Sequence, residues 1–247
     1  MAGTALGQHQ MVSIGSRRLS IDCSGSAARS STVVLSAGGG RTAKDWEKVR
    51  PAIAAFARVC SYDRAGYGES DKVDEEPQSA NEIVSDMHAL LKASGEKAPF
   101  VLVAHSIAGI YVRNYAAKFP GEAAAFVFVD SSHEEQAARM HEIDPQGPGL
   151  DDRTARMGFF VKPGERLEWR TELPLVVLAH GKPYAKIAPL TEDQWAAADR
   201  LWRGLQEDLA KRSPRGQLRV AERSGHFIQL DQPELVIRAV RDVIGTY

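Results

Sequence analysis

Phe100-Val101-Leu102-Val103-Ala104-His105-Ser106-Ile107-Ala108-Gly109-Ile110-Tyr111-Val112-Arg113-Asn114-Tyr115 is the stretch whose reading decides the fold. Its first four residues are apolar and read as a parallel strand buried on both faces. Small residues then bracket Ser106, and Ile110 to Phe119 repeats its apolar positions at helical spacing. Strand, tight turn and helix are the context in which a G-x-S-x-G pattern lifts a serine hydroxyl to the carboxyl edge of a sheet. Here the pattern reads Ala104-His105-Ser106-Ile107-Ala108, with alanine at both glycine positions. Only small side chains let neighbouring backbone approach such a turn, and the helix N-terminus behind it favours developing negative charge. An ordinary helix N-cap would use a serine too. The turn alone therefore leaves the role of Ser106 open.

The bulk properties narrow the class. A chain of 247 residues can bury a large core within one domain. The 31 basic and 32 acidic residues nearly cancel, which argues against nucleic acid or an anionic membrane as partner. Cys23 and Cys60 each fall in a strand-like run and read as small core residues rather than as a disulfide framework or a metal site. Residues 1 to 10 carry neither a basic n-region nor an apolar h-region, and no stretch approaches the length of a membrane span. The expectation is a cytoplasmic monomer or small homo-oligomer that acts on a small molecule without a metal or cofactor.

Outward from the opening stretch, strands alternate with helices. Met11 to Ile14 and Arg17 to Cys23 suggest a hairpin turning at Gly15-Ser16. Thr32 to Leu35, Arg58 to Tyr62, Ala125 to Val129, Leu173 to Leu178 and Gln217 to Glu222 read as further strands. Asp45 to Phe56 (interrupted by Pro51), Ser79 to Ser94, Thr191 to Arg212 and Glu234 to Ile244 read as helices, with Thr191-Glu192-Asp193-Gln194 as a capping box. The alternation predicts an α/β fold, a mainly parallel central sheet of about eight strands with helices on both faces. Residues 1–130 and 173–247 would form the core, and 131–172 a short cap insertion over the site. In such sheets sites form beyond the carboxyl ends of the strands. Ser36 to Gly40, Asp63, Ser106, Asp130 and the loop before Phe227 all fall there. The triple glycine at 38–40 is either a flexible turn or a nest of backbone N–H groups beside a reacting atom.

Serine is a poor nucleophile near neutral pH, so it needs an adjacent base, and the base an orienting partner. His226, in Ser224-Gly225-His226-Phe227, follows the last strand and is the best base. His105 reads as a packing residue or a support for the site, while His133, His141 and His180 are assigned to loops on the pocket side.

These motifs resemble the α/β-hydrolase family over essentially the whole chain. The resemblance rests on Ala104 to Gly109, on Tyr62-Asp63-Arg64-Ala65-Gly66-Tyr67-Gly68-Glu69-Ser70, and on Ser224-Gly225-His226 with Pro233 after it. It implies a serine esterase-like member and places the oxyanion hole at the backbone N–H groups of Ile107 and Gly38. Three departures stand out. Ser36-Ala37 replaces the family's usual His-Gly, alanines replace the elbow glycines, and Ala179-His180-Gly181 stands where the family places its catalytic aspartate. The family's alternative location for that acid is Asp130; Glu192, Asp193 or no conventional acid remain open.

The resulting expectation is hydrolysis of a small carboxylic ester through an acyl-enzyme on Ser106, with His226 as base and Asp130 as its partner. Gly39, Phe159, Phe160 and Trp169 would line the substrate pocket, joined by Trp195 and Trp202. Alternatives are a lactone or carbon–carbon bond hydrolase, an acyltransferase, or a non-catalytic small-molecule binder on the same fold.

Overall fold

The computed structural model describes residues 8–26, 31–73, 78–147, 157, 169–183 and 190–246. Eight strands form one sheet: β1 (Gln8–Ser13), β2 (Arg18–Ser24), β3 (Val33–Ser36), β4 (Val59–Tyr62), β5 (Phe100–His105), β6 (Ala123–Val129), β7 (Leu175–His180) and β8 (Gly216–Ala221). Their order is β1-β2-β4-β3-β5-β6-β7-β8. The β1–β2 and β2–β4 pairs are antiparallel and all others parallel. Every residue of β3, β4, β5, β6 and β7 is buried. That is why these segments read as unbroken apolar runs, since helices cover both faces.

Among the described residues the helices are α1 (Arg50–Ala54), α2 (Ala80–Ala93), α3 (Ala108–Lys118), α4 (Gln136–Ile143), α5 (Glu192–Ala210), α6 (Ile228–Asp231) and α7 (Pro233–Ile244). Capping boxes start α2 at Ser79 with Glu82 and α5 at Thr191 with Gln194. The single helix expected over Asp45 to Phe56 is instead a 3₁₀ turn at Ala43–Trp46 followed by α1. Pro51 is responsible: without an N–H it starts a helix readily but breaks the interior of one. Helix α4 falls in the segment expected to form the cap and packs on α5. Most of that segment, including Phe159 and Phe160, lies outside the described residues.

The reading of the cysteines needs correction. Cys23 and Cys60 form a disulfide. They stand opposite one another where β2 pairs with β4, with Cα atoms 4.1 Å apart. Both are buried as expected, but strands 37 residues apart do not reveal their mutual register in their own sequences.

The sheet brings five strand ends together. Ser36, Ser106, Asp130 and His180 end or follow the adjacent strands β3, β5, β6 and β7, and His226 follows β8.

Candidate active site

Two turns at this edge hold unusual backbone. Ser106 has φ of 55° and Asp130 of 43°, and they are the only non-glycine residues with positive φ among those described. The left-handed region costs an L-residue on the order of 1–2 kcal/mol, so surrounding contacts must enforce it. Ser106 N donates to Val129 O at 3.2 Å and Ser132 N donates to Ser106 O at 2.9 Å, which ties each turn to the other. Ser131 Oγ donates to Ala104 O at 2.7 Å. A Cβ on Gly109 would lie 2.6 Å from Ser131 Cβ, so only glycine lets α3 approach this loop. The opening strand–turn–helix is thus locked to the end of β6.

Asp130 is fully buried and is the hub of the site. His226 Nδ1 lies 2.7 Å from its Oδ2. Oδ1 accepts from Trp202 Nε1 at 2.9 Å and from His180 N at 3.1 Å, and His180 Nδ1 lies 3.0 Å from both oxygens. Burial would push this carboxyl up; hydrogen bonds and charge from His180 and His226 outweigh burial and hold it well below the usual carboxylate range. Because an ionised carboxylate only accepts, His226 presents Nδ1–H to Asp130.

His105 connects the serine turn to the histidine loop. Its Nε2 donates to His226 O at 3.0 Å, and the two rings are centred 4.5 Å apart. Burial, reinforced by His226, draws its pKa down to about 3, so near neutral pH it is an uncharged spacer. Trp202 meets the His226 ring edge-on at 5.9 Å, and Phe227, half-exposed, continues the aromatic rim under Arg41.

Gly38 lies beside the serine. A Cβ there would stand 2.8 Å from His105 Nδ1 and 3.1 Å from Ser106 Cβ. Arg64, buried between the rings of Tyr67 and Tyr111, donates to Ala37 O and, at 2.5 Å, to Gly38 O. In a trans peptide the N–H points opposite to the C=O. Anchoring Ala37 O to Arg64 therefore turns the Gly38 N–H away from Arg64. Asp63 fixes the same loop by accepting from Ala43 N at 2.7 Å and Glu69 N at 3.0 Å. Ile107 precedes α3, so its N–H belongs to the helix start, where amides lack intrahelical partners. Ser36, at the position of the altered His-Gly, pairs with Tyr62 OH at 3.3 Å.

Gly39 lines a cavity of about 30 Å³ with Tyr67, Val73, Ile83, Tyr111 and Met157. Trp169 is placed elsewhere. It packs edge-on against Phe126 at 5.0 Å and beside Phe128 at 5.8 Å, partly buried against the core. His180 is not a loop residue, and His133, although in the loop before α4, is buried rather than facing a pocket. His180 ends β7 and contacts Asp130, whereas His133 is buried in an ionic network with Asp208, Glu134, Arg113 and Arg212. Glu192 and Asp193 sit in the first turn of α5, while Asp130 occupies Nδ1 of His226. Sequence reasoning missed the contacts of Trp202 and His180 with Asp130. For His180 the signal was available: β6 and β7 are neighbours, so the residues that end them meet.

A parallel sheet with a strained serine turn after β5 and a histidine after β8 defines an α/β hydrolase. The chain belongs to the alpha/beta hydrolase family, whose model matches residues 33–239. It is similar to the uncharacterized protein YqjL of Bacillus subtilis, 27% identical over 222 residues, covering 86% of this chain and 83% of that one. Among solved structures it resembles a predicted CIB-like hydrolase from Thermoplasma acidophilum, at 17% identity and TM-score 0.69, covering 97% of this chain and 98% of that one. It also resembles a thermophilic esterase from Thermogutta terrifontis, at 19% identity and TM-score 0.63, covering 96% and 97%. At those identities the likeness concerns the fold. No helix among the described residues is long and apolar enough to cross a membrane.

Proposed function

We propose that the protein is a serine hydrolase of small carboxylic esters, with Ser106 as nucleophile, His226 as base and Asp130 as the acid. The observation that carries this reading is the 2.7 Å contact between Asp130 Oδ2 and His226 Nδ1, on a loop tied to the Ser106 turn through His105. Ser106 Oγ attacks the ester carbonyl as His226 Nε2 takes its proton. Asp130 stabilises the imidazolium without accepting the proton. The carbonyl oxygen becomes an oxyanion that the N–H groups of Ile107 and Gly38 receive, reinforced by the positive end of α3. His226 returns its proton to the leaving alkoxide, then activates a water that releases the acid and restores Ser106. The backbone of Gly39, beside Gly38, would face the acyl group held by the oxyanion donors.

Turnover of 4-nitrophenyl esters of increasing acyl length tests this. Acetate and butyrate should be preferred over long chains, and Ser106→Ala should remove turnover while the protein stays folded. Ester turnover unchanged in Ser106→Ala would refute the mechanism.

A further inference from the structure

We infer that His180 is a positioning residue that works as an imidazolium, clamped between Asp130 and Asp199 so that Asp130 is held in place, and its charge offset, for His226. The inference rests on the serine-hydrolase reading and extends its triad inward by two residues.

The argument is one of donors and acceptors. His180 is buried, with Nδ1 3.0 Å from both oxygens of Asp130 and Nε2 3.1 Å from Oδ1 of Asp199. A neutral imidazole has one N–H and one lone pair, whereas an ionised carboxylate has only lone pairs. A neutral ring would therefore set a lone pair against a carboxylate oxygen at hydrogen-bond distance, with no water to separate them. A second proton turns that repulsion into a charge-assisted hydrogen bond. Both neighbours have donors or a cation around their oxygens. Asp130 receives N–H groups from His226, Trp202 and the His180 backbone, and Asp199 also pairs with Arg203 Nε at 3.0 Å.

The surroundings agree in sign. Asp130 faces His180 from the end of β6, Asp199 from α5 with Arg203 behind it, and His226 lies beyond Asp130 on the loop after β8. The Trp202 indole stacks on the ring at 6.4 Å. Burial lowers the affinity of His180 for its second proton, but the two carboxylates outweigh burial and raise its pKa above the ordinary histidine value.

The consequence for His226 follows from charge. Asp130 lies between the two rings, with His226 Nδ1 2.7 Å from Oδ2 and His180 Nδ1 3.0 Å from Oδ1. A cation on the far side of Asp130 offsets part of the carboxylate's field at His226, and removing that cation leaves His226 facing a less compensated anion. Asp199 compensates the charge of His180 in turn, so the chain Asp199–His180–Asp130 carries one net negative charge rather than two or none.

Two measurements on the full chain test this. Long-range proton–nitrogen spectra of protein labelled with ¹⁵N-histidine report ring protonation directly, with His180→Gln assigning the signals. Both His180 nitrogens should carry protons at pH 7.5; a neutral tautomer there overturns the inference. That experiment needs no turnover, so it can fail or succeed independently of the ester mechanism. The second is the pH profile of kcat/KM on 4-nitrophenyl acetate. His180→Gln should move the acid limb up by about one pH unit, with KM little changed. A uniform loss at every pH in folded His180→Gln, with the limb unmoved, would show a merely structural role and overturn the proposal. If the variant does not fold, the wild-type spectrum decides alone, its His180 signals then assigned by His226→Gln and by elimination.

Discussion

Replacing Asp130 with asparagine isolates what the buried carboxylate does, because the exchange keeps volume and removes only charge and acceptor capacity. In the native site Oδ1 accepts from Trp202 Nε1 and His180 N, Oδ2 accepts from His226 Nδ1, and His180 Nδ1 bridges both oxygens. Whichever way the amide is turned, its NH₂ meets a donor. Facing His226, it makes Nδ1 the acceptor and moves the ring proton to Nε2, where the serine needs a lone pair. Facing Trp202 and the His180 backbone, it sets N–H against two N–H groups that cannot retreat. The first orientation is cheaper because a histidine can change tautomer and a backbone amide cannot. Asp130→Asn should therefore lower kcat by about 10⁴-fold, on the order of 5 kcal/mol of barrier. KM should change little, since the carboxylate is buried beneath His226. Initial rates on 4-nitrophenyl acetate, with circular dichroism to confirm folding, read this out. A folded variant within tenfold of the native rate would remove Asp130 from the mechanism.

Two further outcomes follow from the same geometry. Gly38→Ala places a methyl 2.8 Å from His105 Nδ1 and 3.1 Å from Ser106 Cβ, so the strand end beside the serine must shift. With one oxyanion donor displaced, kcat should fall about 10²-fold, and a change under twofold in steady-state rates would show that Gly38 is not a donor. The lowered pKa of Asp130 makes stability fall in acid: its contribution is present above the unfolded value of about 4 and is lost as pH drops toward the folded one. Urea midpoints at pH 6 and pH 3 should differ more for the native protein than for Asp130→Asn, and equal differences would contradict the ionised, hydrogen-bonded carboxylate.

Much of the fold could be read along the chain because buried parallel strands leave little choice of residue. Phe100 to Val103 and Ala125 to Val129 are apolar on both faces, and the capping box at Thr191 marks where α5 begins. Ser106 and Asp130 stand out in the sequence for a related reason, since each follows directly on such a strand, whereas His226 lies in the loop beyond the largely exposed β8. What the sequence hid depends on register and distance across the sheet. The Cys23–Cys60 pair needs the alignment of β2 with β4, which neither strand encodes by itself. Trp202 lies on the apolar stripe of α5 and looked like core or pocket wall; it is buried, but its indole N–H reaches Asp130, 72 positions away in the chain. Trp169 shows the converse, since an aromatic near the expected cap packs against Phe126 and Phe128 instead. Along the chain His180 reads only as a loop residue on the pocket side. Its partner Asp130 comes from the adjacent strand, and a histidine in place of the usual acid makes sense only beside it.

Everything in the proposed chemistry depends on Ser106 being a hydroxyl that its surroundings make nucleophilic. Reaction with a fluorophosphonate, followed by mass spectrometry of the proteolysed protein, measures that without any choice of substrate. The account predicts one adduct per chain, on the peptide containing Ser106, formed orders of magnitude more slowly in His226→Ala. Absence of an adduct on the folded native protein, or an adduct on another serine with Ser106 unmodified, would contradict it.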